Sequence, residues 1–237
     1  MIQLELQPEV ESRLAAEAEA RGLSLDRYIE SLFVPADPAL TANIEKAGAA
    51  GLPPINVTAN QGKFLYILAR IAGARRILEI GTLGGYSTTW LARALPPEGR
   101  LISLELDEVH ARTARENLAS AGVEAVTEIR VGAAADTLTA MIQAGEAPFD
   151  FVFIDADKCG YLKYLGLVMQ LSKTGTVIVA DNVIRNGAVL DEDPKDADDR
   201  GARDYNAAVA ANPRLESIAL PMYKNKLDGI AISRVVA

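Results

Sequence analysis

RRILEIGTLGGYS, residues 75–87, decides how this chain folds. Ile77, Leu78 and Ile80 make a short apolar run suited to a buried strand, with Arg75 and Arg76 before it and Gly81 closing it. Gly81, Gly84 and Gly85 follow within five residues, and Ser87 opens a helical pattern through Trp90, Leu91 and Leu95. A strand that ends in a glycine-rich turn and enters a helix N-terminus lets a ligand approach the backbone, because no Cβ stands in the way. The spacing bears on which ligand. A dinucleotide fingerprint reads G-x-G-x-x-G and sets its glycines against a pyrophosphate. Here Glu79 stands two residues before Gly81, and a carboxylate at that strand end repels a pyrophosphate but suits an ammonium or sulfonium group. The bland alternative is a strand-turn-helix unit without a ligand, as in many α/β proteins.

Outward from that stretch, the composition sets bounds. A chain of 237 residues, 49% hydrophobic, can bury one α/β domain or one domain with a small extension. A formal charge of -8 and the lack of a basic stripe argue against nucleic acid as a partner. No apolar run approaches the roughly 20 residues of a membrane helix. No basic segment followed by an apolar one marks a secretory signal, so a cytoplasmic protein is expected. Cys159, the one cysteine, excludes an internal disulfide and agrees with a reducing compartment. His110, the one histidine, rules out a histidine-rich metal site, and its helical setting makes it a surface residue.

At the N-terminus, Ile2–Leu6 alternates like a strand, Pro8–Ala20 reads as a helix stopped by Gly22, and Ser24 is placed to cap a helix over Leu25–Phe33. This strand-helix-helix order resembles a ribbon-helix-helix DNA-binding arm, but the strand has no basic residue to read a groove. An extension that packs on the domain or on a second subunit fits better. Ala39–Ala50 is a further helix, and Asn60 is placed to cap another, with Phe64, Leu65, Leu68, Ala69 and Ile71 on its apolar face.

Beyond the glycine turn, Arg100–Leu106 is the second strand. Its Glu105 follows the turn by about 20 residues, the separation at which a strand-end acid accepts from ribose hydroxyls. A helix over Val109–Ala121 presents Arg112, Arg115 and Glu116 to water. Strand three spans Ala125–Val131, and Gly132-Ala133-Ala134 after it leaves room for a flat ring. Phe149–Ile154 is almost continuously apolar, as a central parallel strand must be, and delivers Asp155-Ala156-Asp157-Lys158; Thr176–Ala180 delivers Asp181-Asn182. Ligands of open parallel sheets gather outside the carboxyl ends of the strands. Asp155, Asp181 and Asn182 would offer hard oxygen ligands for Mg²⁺, Mn²⁺ or Ca²⁺; the alternative is that each merely caps the helix that follows. Spacing alone favours Lys158 as a solvated lysine at a helix start, although a partly desolvated lysine beside a cation can take up a proton. Leu190–Arg200, with six acids against two bases, reads as a solvated loop placed to act as a lid, followed by a helix over Gly201–Ala211, a strand at Leu215–Leu220, a turn at 224–226 and a last strand at Gly229–Val235.

LEIGTLGGYST, LISLELD, FDFVFIDADK and VIVADNVIRNG, in that order, resemble the successive motifs of the cation-dependent O-methyltransferases, the group containing the catechol and caffeoyl-CoA enzymes. The likeness runs from about Asp26 to the C-terminus; the first 25 residues lie outside it or are only loosely covered. It implies an α/β fold: a Rossmann-like, seven-stranded, mostly parallel sheet with an antiparallel C-terminal hairpin and helices on both faces. It also implies a methyltransferase domain over 35–237 after an N-terminal extension, 1–34. By the same resemblance Glu79, Gly81, Thr82 and Ser87 hold the methionine part of S-adenosylmethionine (SAM), Glu105 its ribose, and Ala133 its adenine, with Val57, Asp155 and Asp157 lining the pocket. Asp155, Asp181 and Asn182 match the metal ligands, Lys158 the general base, and Asn186 a contact to the acceptor, a small hydroxylated molecule. The implied chemistry has Mg²⁺ on two vicinal oxygens of the acceptor, Lys158 removing the proton, and the oxyanion displacing the sulfonium methyl in line. A homodimer is implied too. Cys159-Gly160-Tyr161, the acidic run and the N-terminal extension depart from the family pattern and bear on the acceptor. Two rivals remain: a nicotinamide-dependent oxidoreductase, and a non-catalytic protein whose N-terminal arm binds DNA or a partner.

Overall fold

A computed structural model describes residues 12–237, apart from 14, 15, 18, 24 and 224–226. The strand expected at Ile2–Leu6, part of the helix expected from Pro8, the Ser24 cap and the turn at 224–226 lie outside the described residues. Helices α1 (Leu25–Phe33), α2 (Pro38–Ala49) and α3 (Ala59–Ile71) lead into β1 (Arg76–Ile80). There follow α4 (Tyr86–Ala94), β2 (Arg100–Glu105), α5 (Glu108–Ser120), β3 (Thr127–Val131), α6 (Ala134–Gln143) and β4 (Phe149–Ile154). The chain ends with α7 (Tyr161–Val168), β5 (Ser172–Asp181), α8 (Ala197–Ala211), β6 (Leu215–Tyr223) and β7 (Leu227–Val235).

The strands form one seven-stranded sheet in the order β3-β2-β1-β4-β5-β7-β6, parallel from β3 to β5 and antiparallel at β7 and β6. The two-residue period of the strands sorts their side chains between two cores. Ile77, Leu101, Phe151 and Phe153 pack with Leu65, Trp90, Leu91 and Leu118 of α3, α4 and α5 on one face. Leu78, Ile80, Ile102, Val152 and Ile154 pack with Leu138, Leu165 and Tyr205 of α6, α7 and α8 on the other. Both faces are covered, which is why these strands read as unbroken apolar runs. The strand order reverses at β1 and β4, and an open α/β sheet forms its ligand crevice at such a switch point. Register brings Ile80 beside Ile154, so the residues that follow, Gly81 and Asp155, leave the sheet together.

Several boundaries differ from the sequence reading, each for a local reason. Thr58, not Asn60, caps α3: its Oγ1 accepts from the Gln61 amide at 3.1 Å while Gln61 Oε1 accepts from the Thr58 amide at 2.9 Å, a reciprocal capping box. Asn60 already lies inside the first turn. Residues 124–126 form a 3₁₀ turn, so β3 starts at Thr127. Strand β5 begins at Ser172, earlier than Thr176. Helix α8 begins at Ala197, because the Asp196 carboxylate accepts from the amides of Asp198 and Asp199. The end of the acidic run is therefore helix, where negative charge meets the positive end of the backbone dipole. Helix α1 packs on the domain through buried Tyr28, and Glu30 Oε1 accepts from the Asn60 amide at 2.9 Å.

Candidate active site

The glycine turn is held in a conformation that few residues adopt. Gly81, Leu83 and Gly85 have φ of 97°, 49° and 78°, the left-handed region that favours glycine. A Cβ on Gly81 would lie 2.0 Å from the carbonyl oxygen of Asp155, so β1 and β4 can end side by side only without one. The turn is anchored from three directions. Glu105 Oε2 accepts from the amides of Thr82 at 3.1 Å and Leu83 at 2.8 Å, and Glu105 Oε1 from that of Asp107 at 2.9 Å. The Gly84 carbonyl accepts from Asn43 Nδ2 at 3.0 Å and Asn117 Nδ2 at 2.9 Å, both from buried side chains. Beneath the turn lies Glu79, fully buried and bonded to Ser87 Oγ at 2.6 Å, Ser103 Oγ at 2.6 Å and Thr88 Oγ1. Burial pushes its carboxyl up to about 7 against the opposing pull of those hydroxyls.

Above the turn opens a cavity of ≈ 510 Å³, within the range of small-molecule sites. Its wall includes Val57, Gly81, Thr82, Ser87, Glu105, Asp155, Asp157, Lys158 and Asn182. The remaining sequence-predicted residues stand off the wall. Glu79 lies under it, Asp181 is buried behind Asn182, and exposed Asn186 has a left-handed backbone with φ of 55°. Ala133, also exposed, follows β3 at the same sheet edge, next to Gly132, whose amide donates to the Glu105 carbonyl at 2.8 Å.

Lys158 departs from the solvated reading that its spacing favours. It is 7% exposed, its Nζ lies 2.8 Å from Asp155 Oδ1, and its ammonium sits 4.9 Å from the centroid of the Tyr161 ring. The cause is tertiary. The start of α8 covers it: Asp198 Oδ1 accepts from the amides of Lys158 at 3.0 Å and Cys159 at 3.1 Å. Gly201 comes so near that a Cβ there would meet the Lys158 carbonyl oxygen at 2.1 Å. The acidic run is thus partly a fixed wall; Arg185 pairs with Asp199 and, at 3.7 Å, with Asp196.

Asp155 and Asp181 finish neighbouring strands. Burial, and then the negative charge of Asp155, push the Asp181 carboxyl up to about 7, and the Lys158 ammonium opposes the shift. The Tyr161 hydroxyl lies 3.0 Å from the carbonyl oxygens of both Ile154 and Asp181, joining the ends of β4 and β5. Among the described residues no three His, Cys, Asp or Glu side chains gather as a metal-binding group, so a cation here would need the Asn182 amide as its third donor. The donor chemistry fits a hard cation: two carboxylates that disfavour each other's charge, and an amide whose Nδ2 is engaged by Asp228 Oδ2 at 3.1 Å, leaving Oδ1 as a ligand atom.

Sequence reasoning passed over five of these residues. His110, read as a surface residue, lines the cavity with Nδ1 3.5 Å from Glu105 Oε1. Asn43, Asn117, Tyr161 and Asp228 act through partners distant in the chain, and only the Asp-Gly start of the last strand was a local signal for the last of them.

Fold and crevice together define a Rossmann-like α/β protein with a small-molecule site at the switch point of its sheet. The family model described as O-methyltransferase matches residues 36–236. The chain is 47% identical over 213 residues to the catechol O-methyltransferase of Niastella koreensis, covering 90% of this chain and 96% of that protein. It is 47% identical over 212 residues to the catechol O-methyltransferase of Mycobacterium tuberculosis, covering 89% and 94%. The crystal structure of the O-methyltransferase from Bacillus cereus in complex with SAH aligns with a TM-score of 0.87 at 42% identity, covering 89% of this chain and 96% of that one. The chain belongs to the O-methyltransferase family. Membership sets aside the nicotinamide-dependent oxidoreductase and the non-catalytic reading.

Proposed function

We propose that this O-methyltransferase uses SAM and a divalent cation to methylate one of two vicinal hydroxyls on a catechol-like acceptor. The observation that carries the reading is the convergence of Asp155, Lys158 and Asn182 with the glycine turn on one cavity. SAM is supported by the SAH complex of the Bacillus cereus relative and the catechol acceptor by the names of the two curated relatives. Thr82, Ser87 and Val57 line the methionine end of the cofactor's pocket, and Glu79, its carboxyl raised to about 7 by burial, would ionise beneath it when the cofactor's ammonium group binds. Glu105 keeps acceptor capacity for a ribose hydroxyl after taking three amides. Asp157 and Ala133 flank the nucleoside end.

When bound, a cation such as Mg²⁺ held by Asp155, Asp181 and Asn182 would act as a Lewis acid that favours ionisation of an acceptor hydroxyl. Lys158 is the group placed to take the acceptor's proton when it is in its neutral amine form: it is buried, it lines the cavity, and the Asp155 carboxylate at 2.8 Å would stabilise the ammonium that the transfer produces. The start of α8 walls that side of the cavity through Asp198, and the resemblance supports Asn186, exposed and off the wall, as a contact to the acceptor. Residues 35–237 form the methyltransferase domain and 1–34 an N-terminal extension, of which helix α1 packs on the domain through Tyr28. The resemblance supports a homodimer, and the single cysteine supports a cytoplasmic setting.

The test is methyl transfer from SAM to a panel of catechols in the presence of EDTA or of Mg²⁺. Activity should vanish with EDTA and return with Mg²⁺; full turnover without divalent metal refutes the assignment of Asp155, Asp181 and Asn182.

A further inference from the structure

We propose that Asp228 is a positioning residue that sets the polarity of the Asn182 carboxamide, turning its oxygen toward the cation position; this rests on the metal reading above. Asp228 opens the antiparallel end of the sheet, opposite the turn that follows β5: Asp181 pairs with Ile230, and the Val183 amide donates to the Gly229 carbonyl at 3.0 Å. Its two carboxylate oxygens divide their work. Oδ1 accepts from the amides of Ile184 at 3.2 Å, Arg185 at 3.0 Å and Gly229 at 2.9 Å. Oδ2 accepts from Asn182 Nδ2 at 3.1 Å. The segment so held is conformationally unusual: Asn182, Arg185 and Asn186 have φ of 56°, 50° and 55° without being glycine. Such backbone persists only where its surroundings hold it.

A carboxamide is planar, with a donor at one corner and an acceptor at the other. Fixing the nitrogen end therefore decides where the oxygen end goes. Were the Asn182 amide reversed, its oxygen would face the Asp228 carboxylate, acceptor against acceptor, and its NH₂ would face the cation position. Asp228 excludes that arrangement through charge. Outer residues that orient a metal ligand in this way typically change affinity by about 10- to 100-fold when altered.

The isosteric change Asp228→Asn isolates the polarity from the fold. Its oxygen can keep the three backbone amides, but its NH₂ then meets Asn182, and a hydrogen bond forms only if the Asn182 amide reverses. The second change Asn182→Asp removes the asymmetry, since a carboxylate has oxygen at both corners: it accepts from the new amide and still offers an oxygen to a cation. The double variant also keeps the net charge of the unaltered chain.

The experiment titrates the full-length chain with MnCl₂ in the presence of SAH and follows free Mn²⁺ by electron paramagnetic resonance, with SAH affinity measured separately without metal. Asp228→Asn should weaken Mn²⁺ binding about 10- to 100-fold while SAH affinity stays within about twofold, and the double variant should return to within about threefold of the unaltered protein. Because a third carboxylate strengthens cation binding by itself, the single variant Asn182→Asp is the control: a purely structural Asp228 predicts that Asn182→Asp raises Mn²⁺ affinity by the same factor with or without Asp228→Asn, whereas the inference predicts a larger gain alongside Asp228→Asn. Mn²⁺ affinity unchanged in Asp228→Asn, or a folded double variant that binds no better than the single one, overturns the inference. If Asp228→Asn does not fold, Asn182→Asp takes its place: with Asp228 intact it sets two carboxylates against each other and should bind Mn²⁺ less tightly than the double variant, and equal or higher affinity overturns the inference. Failure of the unaltered chain to bind Mn²⁺ would strike the metal reading itself, and the inference with it.

Discussion

Replacing Glu79 by Gln should change how stability depends on pH. Glu79 is fully buried in β1 among the hydroxyls of Ser87, Thr88 and Ser103, and burial raises its carboxyl from an ordinary 4.5 to about 7. Between those values the unfolded chain gives up a proton that the folded chain keeps, so stability falls as pH rises through this window and levels off above it. The whole effect is on the order of 3 kcal/mol. For 237 residues, an unfolding entropy of about 2.1 cal/mol/K per residue turns this into roughly 6 °C of melting temperature. Glu79→Gln preserves the shape and removes the titration, and other acids such as Asp181 titrate in both proteins and cancel in the difference. Thermal melts of the two proteins without ligands, from pH 4.5 to 8, should show the variant gaining on the unaltered chain by that amount as pH rises. Melting curves that stay parallel across the range would refute the buried, proton-holding carboxyl.

Lys158→Ala should lower kcat by about 10²- to 10⁴-fold with little change in the KM for SAM, as expected on loss of a general base; an unchanged kcat in steady-state assays would return Lys158 to a structural role. Glu105→Ala frees the Thr82 and Leu83 amides from their anchor and should weaken SAH binding by roughly 10- to 100-fold, from about 1.5–3 kcal/mol per charged hydrogen bond, measured by calorimetric titration. Gly81→Ala places a Cβ 2.0 Å from a backbone oxygen at a φ of 97°, and should cost about 3 kcal/mol or more in denaturant unfolding.

The sequence by itself determined the strands and the chemistry at their ends. Ile77–Ile80 and Phe149–Ile154 are legible because a strand covered on both faces needs an unbroken apolar run, and this is a local property. The polar residues that follow are legible because such strands end at the crevice, so Asp155 and Asn182 could be placed at its edge before any coordinates, whereas Asp181 lies buried off the wall. Lys158 could not be read from spacing, because its burial comes from Asp198 and Gly201 of α8, some forty residues on. Asp228 meets Asn182 across 46 residues of chain, and Tyr161 joins two strand ends through carbonyls that carry no residue identity at all. Only the tertiary structure decided which side chains are dry, which are paired and which way an amide points, because burial and hydrogen-bond polarity are set by neighbours that the packed sheet and helices bring together.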